Sequence, residues 1–460
     1  MERTLAQVAE AVQGRLIGAD ARFGAVSTDT RTLEKGALFV AIVGERHDGN
    51  RFVGDAAAKG AAGAMVSVRS DVALPQIEVD DTRVALGRMA HAWRASFRIP
   101  VIAVTGSSGK TTVKELIAAI LSVGAERSGR SVCVTQGNLN NDIGLPLTLM
   151  RLSAEHDAAV VELGANHPGE IDALARIARP TVGVITNAGA AHLEGFGSLD
   201  GVANAKGELL DHLPPLGTAV LNADDRYVDA WRARTTAGRV LTFGFTSNAD
   251  FTVDGEPVLD ERGARFRLET PRETIDVTLP LLGRTNVLNA LAAAAAAYAV
   301  GCDADDIAAG LARASAVRGR MHVVAGRGGA VVIDDAYNAN PSSARAALDH
   351  LATLSGRRIF VLGDMLELGP SAAELHAEVG EYARQRSDAL VAIGPLARHA
   401  AAAYGSGAQT FDDVAAAVDA LLPRLGEDVT VLVKGSRAMG LERVVAGLAA
   451  PERETGGARC

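Results

Sequence analysis

The stretch Thr105-Gly106-Ser107-Ser108-Gly109-Lys110-Thr111-Thr112 lies between a short apolar run, residues 101–104, and a helical pattern, residues 111–121. Its glycines allow the backbone to turn so that successive N–H groups point inward at anionic oxygens. The N-terminus of the following helix adds a partial positive charge. Lys110 can reach the outer phosphates of a nucleotide, and the hydroxyl of Thr111 can bind Mg²⁺. An ordinary glycine-rich turn is the alternative, but the flanking strand and helix favour a phosphate-binding P-loop.

Beyond this loop, strand and helix signals alternate, which predicts an α/β fold with a mainly parallel sheet. Further strands are predicted at residues 158–161, 182–185 and 219–221, with helices at 171–177 and 202–210. An alternating stretch, residues 251–281, predicts antiparallel ribbons, and an alanine-rich helix over 286–300 follows it. We assign residues 81–315 to a central domain built on a P-loop ATPase-like parallel sheet.

A smaller α/β unit is predicted ahead of the central domain. Residues 4–12 place their apolar side chains on one face of a helix. Strands are predicted at 37–43 and 64–68, a helix at 51–59 and a link at 78–81. We assign residues 1–80 to this N-terminal domain.

The last third of the chain repeats the alternation of strands and helices. The predicted strands are 331–333, 359–362, 390–393 and 429–433, and the predicted helices are 343–354, 372–384 and 414–422. This pattern predicts a doubly wound, Rossmann-like domain over residues 316–460. No GxGxxG motif supports dinucleotide binding there. Three domains agree with a chain of 460 residues, at about 150 residues per domain.

The composition excludes several classes of protein. Lys and Arg number 46 against 55 Asp and Glu, so the net charge of −9 provides no global basic field for a nucleic-acid backbone. Cys133, Cys302 and Cys460 are far apart and show no spacing typical of a disulfide framework or a zinc site. The first residues lack an apolar signal region, and the longest apolar stretch, residues 291–300, is too short for a membrane span. We therefore expect a soluble, intracellular protein that binds no nucleic acid.

Three ionisable residues follow the central strands. Glu162 ends a strand, where nucleotide hydrolases often place a metal-binding acid, although an acid at a strand end is more often a solvated loop residue. His192 follows the next strand, and Lys206 lies one short helix later. A histidine in such a loop usually lies at the surface, and the stem of a helical lysine usually packs along apolar surface. A buried lysine can instead be neutral and react with CO₂, and the resulting carbamate anion could bridge two cations.

Together these residues resemble the Mur ligase family, and the resemblance covers almost the whole chain. Residues 105–112 resemble the family's TGxxGKT[ST] loop, which accounts for Val104 in place of the glycine of the common P-loop pattern. Residues 137–144 resemble GNxNNxIG, and the segments around His192 and Lys206 resemble those with a metal-binding histidine and a carbamylated lysine. Residues 283–291 match GxHNxxNALAA, with Thr285 where the family usually has histidine, and residues 334–341 match DD[SA]YNANP. Residues 319–320 match the segment with an arginine that reaches phosphate.

The resemblance implies an ATP-dependent amide ligase of peptidoglycan precursor synthesis in the cytoplasm, where cell wall assembly supports cell shape and division. Residues 27–31, 38–49, 337–341, 363–369 and 434–437 are similar to the members that join D-alanyl-D-alanine to UDP-N-acetylmuramoyl-tripeptide. The reaction implied proceeds through an acyl phosphate and releases ADP and phosphate. The N-terminal domain would bind the UDP end of the substrate, and the C-terminal domain would close over the central domain. We expect a monomer, and the third residue of the tripeptide, diaminopimelate or lysine, stays open.

The resemblance also implies a set of site residues. The catalytic residues implied are Lys110, Glu162, His192 and Lys206. The nucleotide-binding residues implied are Gly106, Ser107, Ser108, Gly109, Lys110, Thr111, Thr112, Asn286, Asn289, Arg320 and Asp335. The substrate-binding residues implied are Ser27, Thr28, Asp29, Arg31, Asn138, Asn141, Asn338, Asn340, Lys434, Ser436 and Arg437. One Mg²⁺ is implied at Thr111 and Glu162, and a second at Glu162, His192 and the CO₂-derived carbamate of Lys206.

Three other functions are disfavoured by the sequence. A nucleotide-dependent switch protein would carry a guanine-reading NKxD motif, which this chain lacks. A family member that adds diaminopimelate or lysine would carry a DNPR loop, which is also missing. A cyanophycin- or folate-type ligase is disfavoured by the motifs of the first 49 residues, which resemble a UDP-binding domain.

Overall fold

The structure is a computed structural model, and it describes residues 3–44, 47–246 and 248–451. Glu45 and Arg46 of the N-terminal motif, and Cys460, lie outside the described residues. Within the described residues the strands form five sheets. None of the described helices is long and apolar enough to cross a membrane.

The first two sheets lie between residues 3 and 78. Their strands are β1 (Arg3–Thr4), β2 (Arg15–Ile17), β3 (Arg22–Phe23), β4 (Val26–Ser27), β5 (Leu38–Val40), β6 (Gly63–Val66) and β7 (Gln76–Glu78), and their helices are α1 (Leu5–Val12) and α2 (Val53–Ala58). β1 pairs with β3, and the other strands form a sheet of order β2-β7-β6-β5-β4. Thr4 begins α1 with a capping box that includes Gln7, and the predicted apolar face of α1 is buried.

The central sheet has six parallel strands. They are β8 (Val101–Thr105), β9 (Ser131–Val134), β10 (His156–Glu162), β11 (Val182–Ile185), β12 (Thr218–Asn222) and β13 (Arg239–Phe243), in the order β13-β12-β11-β8-β10-β9. β8 lies between β10 and β11. After β8 the chain forms β9 and β10 on one side of it and then β11, β12 and β13 on the other side. Such a switch point opens a crevice at the carboxyl ends of the strands, where ligands bind in open α/β sheets. The P-loop follows β8 directly and lies at this crevice.

A three-stranded antiparallel sheet, β14 (Thr252–Asp260), β15 (Gly263–Glu269) and β16 (Thr274–Leu279), follows the central sheet. The helices of this region are α3 (Thr82–Ala95), α4 (Lys110–Arg127), α5 (Gly144–Leu149), α6 (Glu170–Ala178), α7 (Leu193–Phe196), α8 (Leu199–Gly207), α9 (Val228–Arg234), α10 (Arg284–Ala299) and α11 (Ala304–Ala312). α10 is buried over most of its length because its alanines let it pack closely against α4 and the sheets. The other face of the central sheet shares one core with the N-terminal sheets and α3.

The C-terminal sheet contains β17 (His322–Ala325), β18 (Val331–Asp335), β19 (Arg357–Gly363), β20 (Ala389–Ile393), β21 (Ala408–Phe411) and β22 (Val429–Lys434), in the order β17-β18-β22-β19-β20-β21. Only β17 runs antiparallel to its neighbour among these strands. α12 (Pro341–Thr353), α13 (Ala372–Arg384) and α14 (Ala397–Tyr404) cover one face, and α15 (Val414–Leu421) and α16 (Glu442–Leu448) cover the other. The predicted α/β fold class, including this doubly wound sheet, is confirmed.

Two local predictions were wrong in their bounds. The strand predicted at 37–43 is limited to β5, because the chain turns at Ile42, whose carbonyl accepts the Gly49 N–H at 2.9 Å. The link predicted at 78–81 agrees with the structure, in which residues 79–81 connect β7 to α3 and Asp81 caps that helix through the N–H groups of Arg83 and Val84. The helix predicted at 202–210 begins earlier, at α8, and continues as a 3₁₀ turn, Glu208–His212.

Candidate active site

A cavity of about 930 Å³ lies between the central and C-terminal sheets. Its wall contains the P-loop, the ends of the central strands, the start of α10 and the loop after β18. Fifteen of the predicted site residues line it: Ser107, Ser108, Gly109, Lys110, Thr112, Asn141, Glu162, His192, Asn286, Asn289, Arg320, Asp335, Asn338, Asn340 and Lys434. The structure therefore gathers residues that lie more than 300 positions apart in the sequence.

The P-loop depends on two glycines. Gly106 and Gly109 have φ values of 144° and 83°, which disfavour any other residue type. A Cβ atom on Gly109 would lie 2.5 Å from Oδ1 of Asn289. Lys110 follows as the first residue of α4, and its ammonium group donates to the Gly106 carbonyl at 2.7 Å. Burial lowers the pKa of Lys110, and a polyphosphate at this position would favour its charged form.

The loop after β11 supports the P-loop from the side. Asn187 accepts the Ser108 N–H at 3.0 Å, and Thr186 donates its hydroxyl to the Ser108 carbonyl at 2.6 Å. Ser107 also donates its hydroxyl to the Gly189 carbonyl at 3.1 Å. These bonds hold the loop in shape without a ligand.

Glu162 is buried at the carboxyl end of β10, directly beside the P-loop helix. Its Oε2 accepts the Thr111 hydroxyl at 2.9 Å, and its Oε1 accepts the Asn140 amide at 2.8 Å. The backbone N–H of Glu162 donates to the Thr135 hydroxyl at 3.0 Å. The structure thus brings together the hydroxyl and the carboxylate that the sequence predicts for one Mg²⁺.

This arrangement fits a magnesium ion that is completed by phosphates. Mg²⁺ typically uses one or two carboxylates together with phosphate oxygens and waters. Among the described residues, no three His, Cys, Asp or Glu side chains converge as a ready-made metal site. Glu162 and Thr111 could therefore hold a magnesium ion that arrives with a nucleotide, and a second ion would need a further anionic ligand.

Lys206 has the environment that such a further ligand requires. It lies in the last turn of α8, is 2% exposed and has the Phe196 ring 5.0 Å from its amine. Burial and the positive charge of Lys110 lower the pKa of Lys206 to about 7, so much of the amine is neutral at pH 7. Neutral amine is the form that reacts with CO₂, so the site fits a carbamate.

His192 lies near Lys206 and contacts the C-terminal region. Its backbone has a left-handed φ of 54°, and its Nδ1 is paired with the carboxylate of Glu367. Burial lowers the pKa of His192, with Lys110 and Lys206 acting in the same direction and Glu367 opposing them. The Glu367 carboxylate lies against Nδ1, which leaves Nε2 as the nitrogen available for a metal.

The C-terminal side of the cavity contains a buried ion pair. Lys434 donates to Oδ2 of Asp335 at 2.5 Å and to the Asn338 carbonyl at 3.0 Å. Asp335 also accepts the Met321 N–H at 3.2 Å. Burial raises the pKa of Asp335, although Lys434 acts in the opposite direction. Arg320 lies nearby, with its guanidinium 4.4 Å from the centre of the Tyr337 ring.

The two predicted asparagines of α10 interact with each other rather than capping the helix. Asn289 donates to Asn286 at 2.9 Å, and Asn286 donates to the Leu282 carbonyl at 2.8 Å. The N-cap position is Gly283, which provides no side-chain cap. Capping therefore does not explain these residues, and their remaining polar atoms face the cavity region.

Several predicted site residues hold loops in place through hydrogen bonds. Asn340 caps α12 and donates to the Ser108 hydroxyl at 3.2 Å, which joins the C-terminal region to the P-loop. Asn141 accepts the Gly144 N–H at 2.9 Å at the start of α5. Ser436 accepts the Leu366 N–H at 2.8 Å and so holds the loop that carries Glu367.

The remaining predicted residues do not line the cavity. Gly106, Thr111 and Lys206 are buried, and Asn138 is exposed. Arg437 stacks over the Tyr337 ring at 5.5 Å. Ser27, Thr28, Asp29 and Arg31 lie in the N-terminal region at the end of β4, where the Arg31 guanidinium lowers the pKa of Asp29 to about 2.

Sequence reasoning missed several residues that the structure places at the site. Asn140, Thr186, Asn187 and Glu367 all bond to predicted site residues. Asn140 and Glu367 lie within the motifs at residues 137–144 and 363–369, so those motifs contain a signal for both residues. No pattern in the sequence distinguishes Thr186 as a partner of the P-loop.

Comparison with known protein families gives three adjoining matches. Residues 104–297 match the Mur ligase middle domain. Residues 319–437 match the Mur ligase glutamate ligase domain, and residues 22–94 match the Mur ligase family catalytic domain. The matched segments include the P-loop and the C-terminal side of the cavity.

The chain is also similar to individual proteins over nearly its full length. It is 45% identical to the UDP-N-acetylmuramoyl-tripeptide–D-alanyl-D-alanine ligase of Escherichia coli K12, covering 97% of this chain and 98% of that protein. The crystal structure of MurF from Acinetobacter baumannii superposes with a TM-score of 0.90 at 36% identity, covering 97% of this chain and 98% of that one. The MurF ligase of Thermotoga maritima in complex with ADP superposes with a TM-score of 0.81 at 29% identity, covering 92% and 96%. This chain therefore belongs to the Mur ligase family.

Proposed function

We propose that this chain is an ATP-dependent ligase that joins D-alanyl-D-alanine to UDP-N-acetylmuramoyl-tripeptide in peptidoglycan precursor synthesis. The observation that supports this function most strongly is the single cavity that holds Lys110 and Glu162 together with Arg320 and Asp335. The similarity to the ligase of Escherichia coli over almost the whole chain supports the choice of substrates.

The chemistry begins with a carboxylate, which is a poor acyl donor because its leaving group would be an oxide. Transfer of the γ-phosphoryl group of ATP to the tripeptide carboxylate gives an acyl phosphate and ADP. The amine of D-alanyl-D-alanine then attacks the acyl carbon, phosphate leaves, and the amine loses a proton as the amide forms. The sequence and structure assign no residue as the base that accepts this proton.

Phosphoryl transfer depends on placing positive charge where negative charge develops. Lys110 and the backbone N–H groups of residues 106–112 would bind the β and γ phosphates. Arg320 would approach the same phosphates from the C-terminal side, and Asp335 would contact the ribose. Asn286 and Asn289 would lie at the base end of the nucleotide.

Two magnesium ions would complete the site. Thr111 and Glu162 would hold one, and Glu162, His192 and a carbamate on Lys206 would hold the second. The ions would supply charge neutralisation on the phosphates and on the tetrahedral intermediate. The buried, largely neutral amine of Lys206 and the Glu367 carboxylate beside His192 support this assignment.

The domains would divide the substrates among them. We propose boundaries at residues 1–80, 81–315 and 316–460, with Ser27, Thr28, Asp29 and Arg31 at the UDP end of the substrate. Asn138 and Asn141 would contact the peptide side of this substrate. Asn338, Asn340, Lys434, Ser436 and Arg437 would contribute to the site for the dipeptide. We further propose that the protein acts as a monomer in the cytoplasm.

The deciding experiment measures ADP release with defined pairs of substrates. UDP-N-acetylmuramoyl-tripeptide is supplied in two forms, ending in diaminopimelate or in lysine, with and without D-alanyl-D-alanine. ADP release should rise when the dipeptide is added to one or both tripeptides, and the Lys110→Met variant should show no rise. If neither tripeptide gives more ADP on addition of the dipeptide, the proposed function is wrong.

A further inference from the structure

Arg83 and Asp142 form an ion pair in the wall of the cavity, apart from the residues assigned to the nucleotide and to magnesium. Nη2 of Arg83 donates to Oδ1 of Asp142 at 3.1 Å and lies 2.9 Å from Oδ2. Arg83 belongs to the first turn of α3 and Asp142 to the loop before α5, so the pair joins segments that are 59 residues apart. Both side chains are about half-exposed, so a ligand in the cavity can reach them.

The pair can exchange its internal contact for contacts to a ligand. An ion pair that is half in water contributes little to stability, so opening it costs little. Both contacts to Asp142 use a single nitrogen of Arg83, whereas a guanidinium has five N–H donors and can bind a carboxylate through two of them. Arg83 thus offers a site for a carboxylate, and Asp142 beside it offers a site for an ammonium group.

A group that carries both charges fits this pair better than a simple ion does. A lone anion at Arg83 would meet the negative charge of Asp142, and a lone ammonium group at Asp142 would meet the positive charge of Arg83. The ligand end that satisfies both residues has a carboxylate and an ammonium group on one carbon, as in a free amino acid centre.

The wall of α6 next to the pair is apolar. Three apolar residues of this helix line the cavity: Ala173, Leu174 and Ile177. Ile177 packs against α3 one turn after Arg83, since a Cβ on Gly87 would lie 3.0 Å from the Ile177 Cδ1 atom. An apolar strip of this kind fits the methylene chain of a ligand whose charged end lies at the ion pair.

The pair also lies within reach of the carboxylate that would hold magnesium. Asn140 donates to Oε1 of Glu162 at 2.8 Å, and Asp142 follows Asn140 by two residues, which limits the separation of their Cα atoms to about 7 Å. In diaminopimelate, four C–C bonds of about 1.5 Å each separate the two amino acid centres, which are about 5 Å apart in the extended form. A carboxylate that reacts near Glu162 and a free centre at Asp142 can therefore belong to one residue.

We propose that Arg83 and Asp142 bind the free amino acid centre of diaminopimelate at the end of the tripeptide and so favour this residue over lysine. In such a tripeptide, one centre of diaminopimelate is joined to the peptide and to the incoming dipeptide, and the other keeps its ammonium and carboxylate groups. A lysine side chain ends in an ammonium group alone, which provides no carboxylate for Arg83. This inference rests on the proposed function, because it takes the tripeptide as a substrate of the cavity.

The test measures discrimination between the two tripeptides. ADP release driven by D-alanyl-D-alanine gives kcat/KM for the diaminopimelate and lysine forms with the wild type, Arg83→Leu and Arg83→Gln. The wild type should favour the diaminopimelate form, and both variants should lower the ratio of the two kcat/KM values about tenfold, the effect of losing a hydrogen bond between charged groups. Arg267→Leu is the control, because Arg267 and Asp254 form a pair of similar exposure on the antiparallel sheet, and neither residue lines the cavity. Its ratio should equal that of the wild type.

Two results would overturn the inference. One is a wild type that does not favour the diaminopimelate form. The other is a ratio in Arg83→Leu and Arg83→Gln equal to the wild-type ratio, whether both rates fall together or neither changes. Because a smaller folded fraction lowers both rates equally, the ratio does not depend on the stability of the variants. Failure of the proposed function would be seen separately, as wild-type protein whose ADP release does not rise with the dipeptide for either tripeptide.

Discussion

Replacing Lys434 by methionine would remove the partner of a buried carboxylate. The Lys434 ammonium lies 2.5 Å from Oδ2 of Asp335, and the two side chains are 3% and 13% exposed. Methionine has a similar length and fills the same space, so the substitution removes a charge without opening a large cavity. The Lys434→Met variant therefore isolates the energetic effect of the unpaired Asp335.

The expected loss of stability is large because little water reaches this pair. Breaking a buried ion pair by removing one partner typically costs about 3–5 kcal/mol, which lowers the Tm of a unit of this size by roughly 10 °C. Burial already raises the pKa of Asp335 above its ordinary 3.8, and loss of Lys434 raises it further. The folded state then binds a proton that the unfolded state has released, so the stability of the variant falls as pH rises above about 4. The deficit should be largest at neutral pH.

Urea and thermal unfolding at pH 5 and pH 8 provide the measurement. The wild type is compared with Lys434→Met, with Asp335→Asn and with the double variant, which should recover part of the loss because no charge is left unpaired. Arg345→Met is the matched control, since Arg345 and Glu378 form a pair whose side chains are 42% and 46% exposed. The control should cost less than about 1 kcal/mol. A Lys434→Met variant as stable as the control at pH 8 would refute the reasoning.

Three further outcomes are expected. In bicarbonate-free buffer, Lys206→Met should raise the Tm at pH 7, and this gain should shrink toward pH 10, because the folded-state pKa of Lys206, about 7, makes the wild type more stable as pH rises. Thermal unfolding from pH 7 to pH 10 measures the gain in Tm, and a gain independent of pH would contradict this reasoning. Gly109→Ala should weaken Mg-ADP binding more than about tenfold by calorimetry, whereas Gly129→Ala, at a positive φ with open space around it, should not. Asn140→Leu should raise the Mg²⁺ concentration for half-maximal ADP release several-fold, because Glu162 loses a hydrogen-bond donor; an unchanged Mg²⁺ titration would contradict this role.

Local patterns predicted the elements of the fold well. The P-loop, the strand that precedes it and the helix that follows it were all predicted from residues 101–121, because glycine positions and apolar periodicity are properties of neighbouring residues. Glu162 was predicted at a strand end and lies at the end of β10. The functional roles of the predicted site residues stay predictions until the measurements above are made.

The sequence by itself determined the alternation of strands and helices, the P-loop and the family to which the chain belongs. Only the tertiary structure decided which charged groups are buried and which partner each one meets. Lys434 and Asp335 are 99 residues apart, and Asn340 is 232 residues from Ser108, yet each pair is in contact. The reduced pKa of Lys206 has the same origin. Desolvation depends on every segment that packs around a side chain, and no periodicity along the chain encodes it.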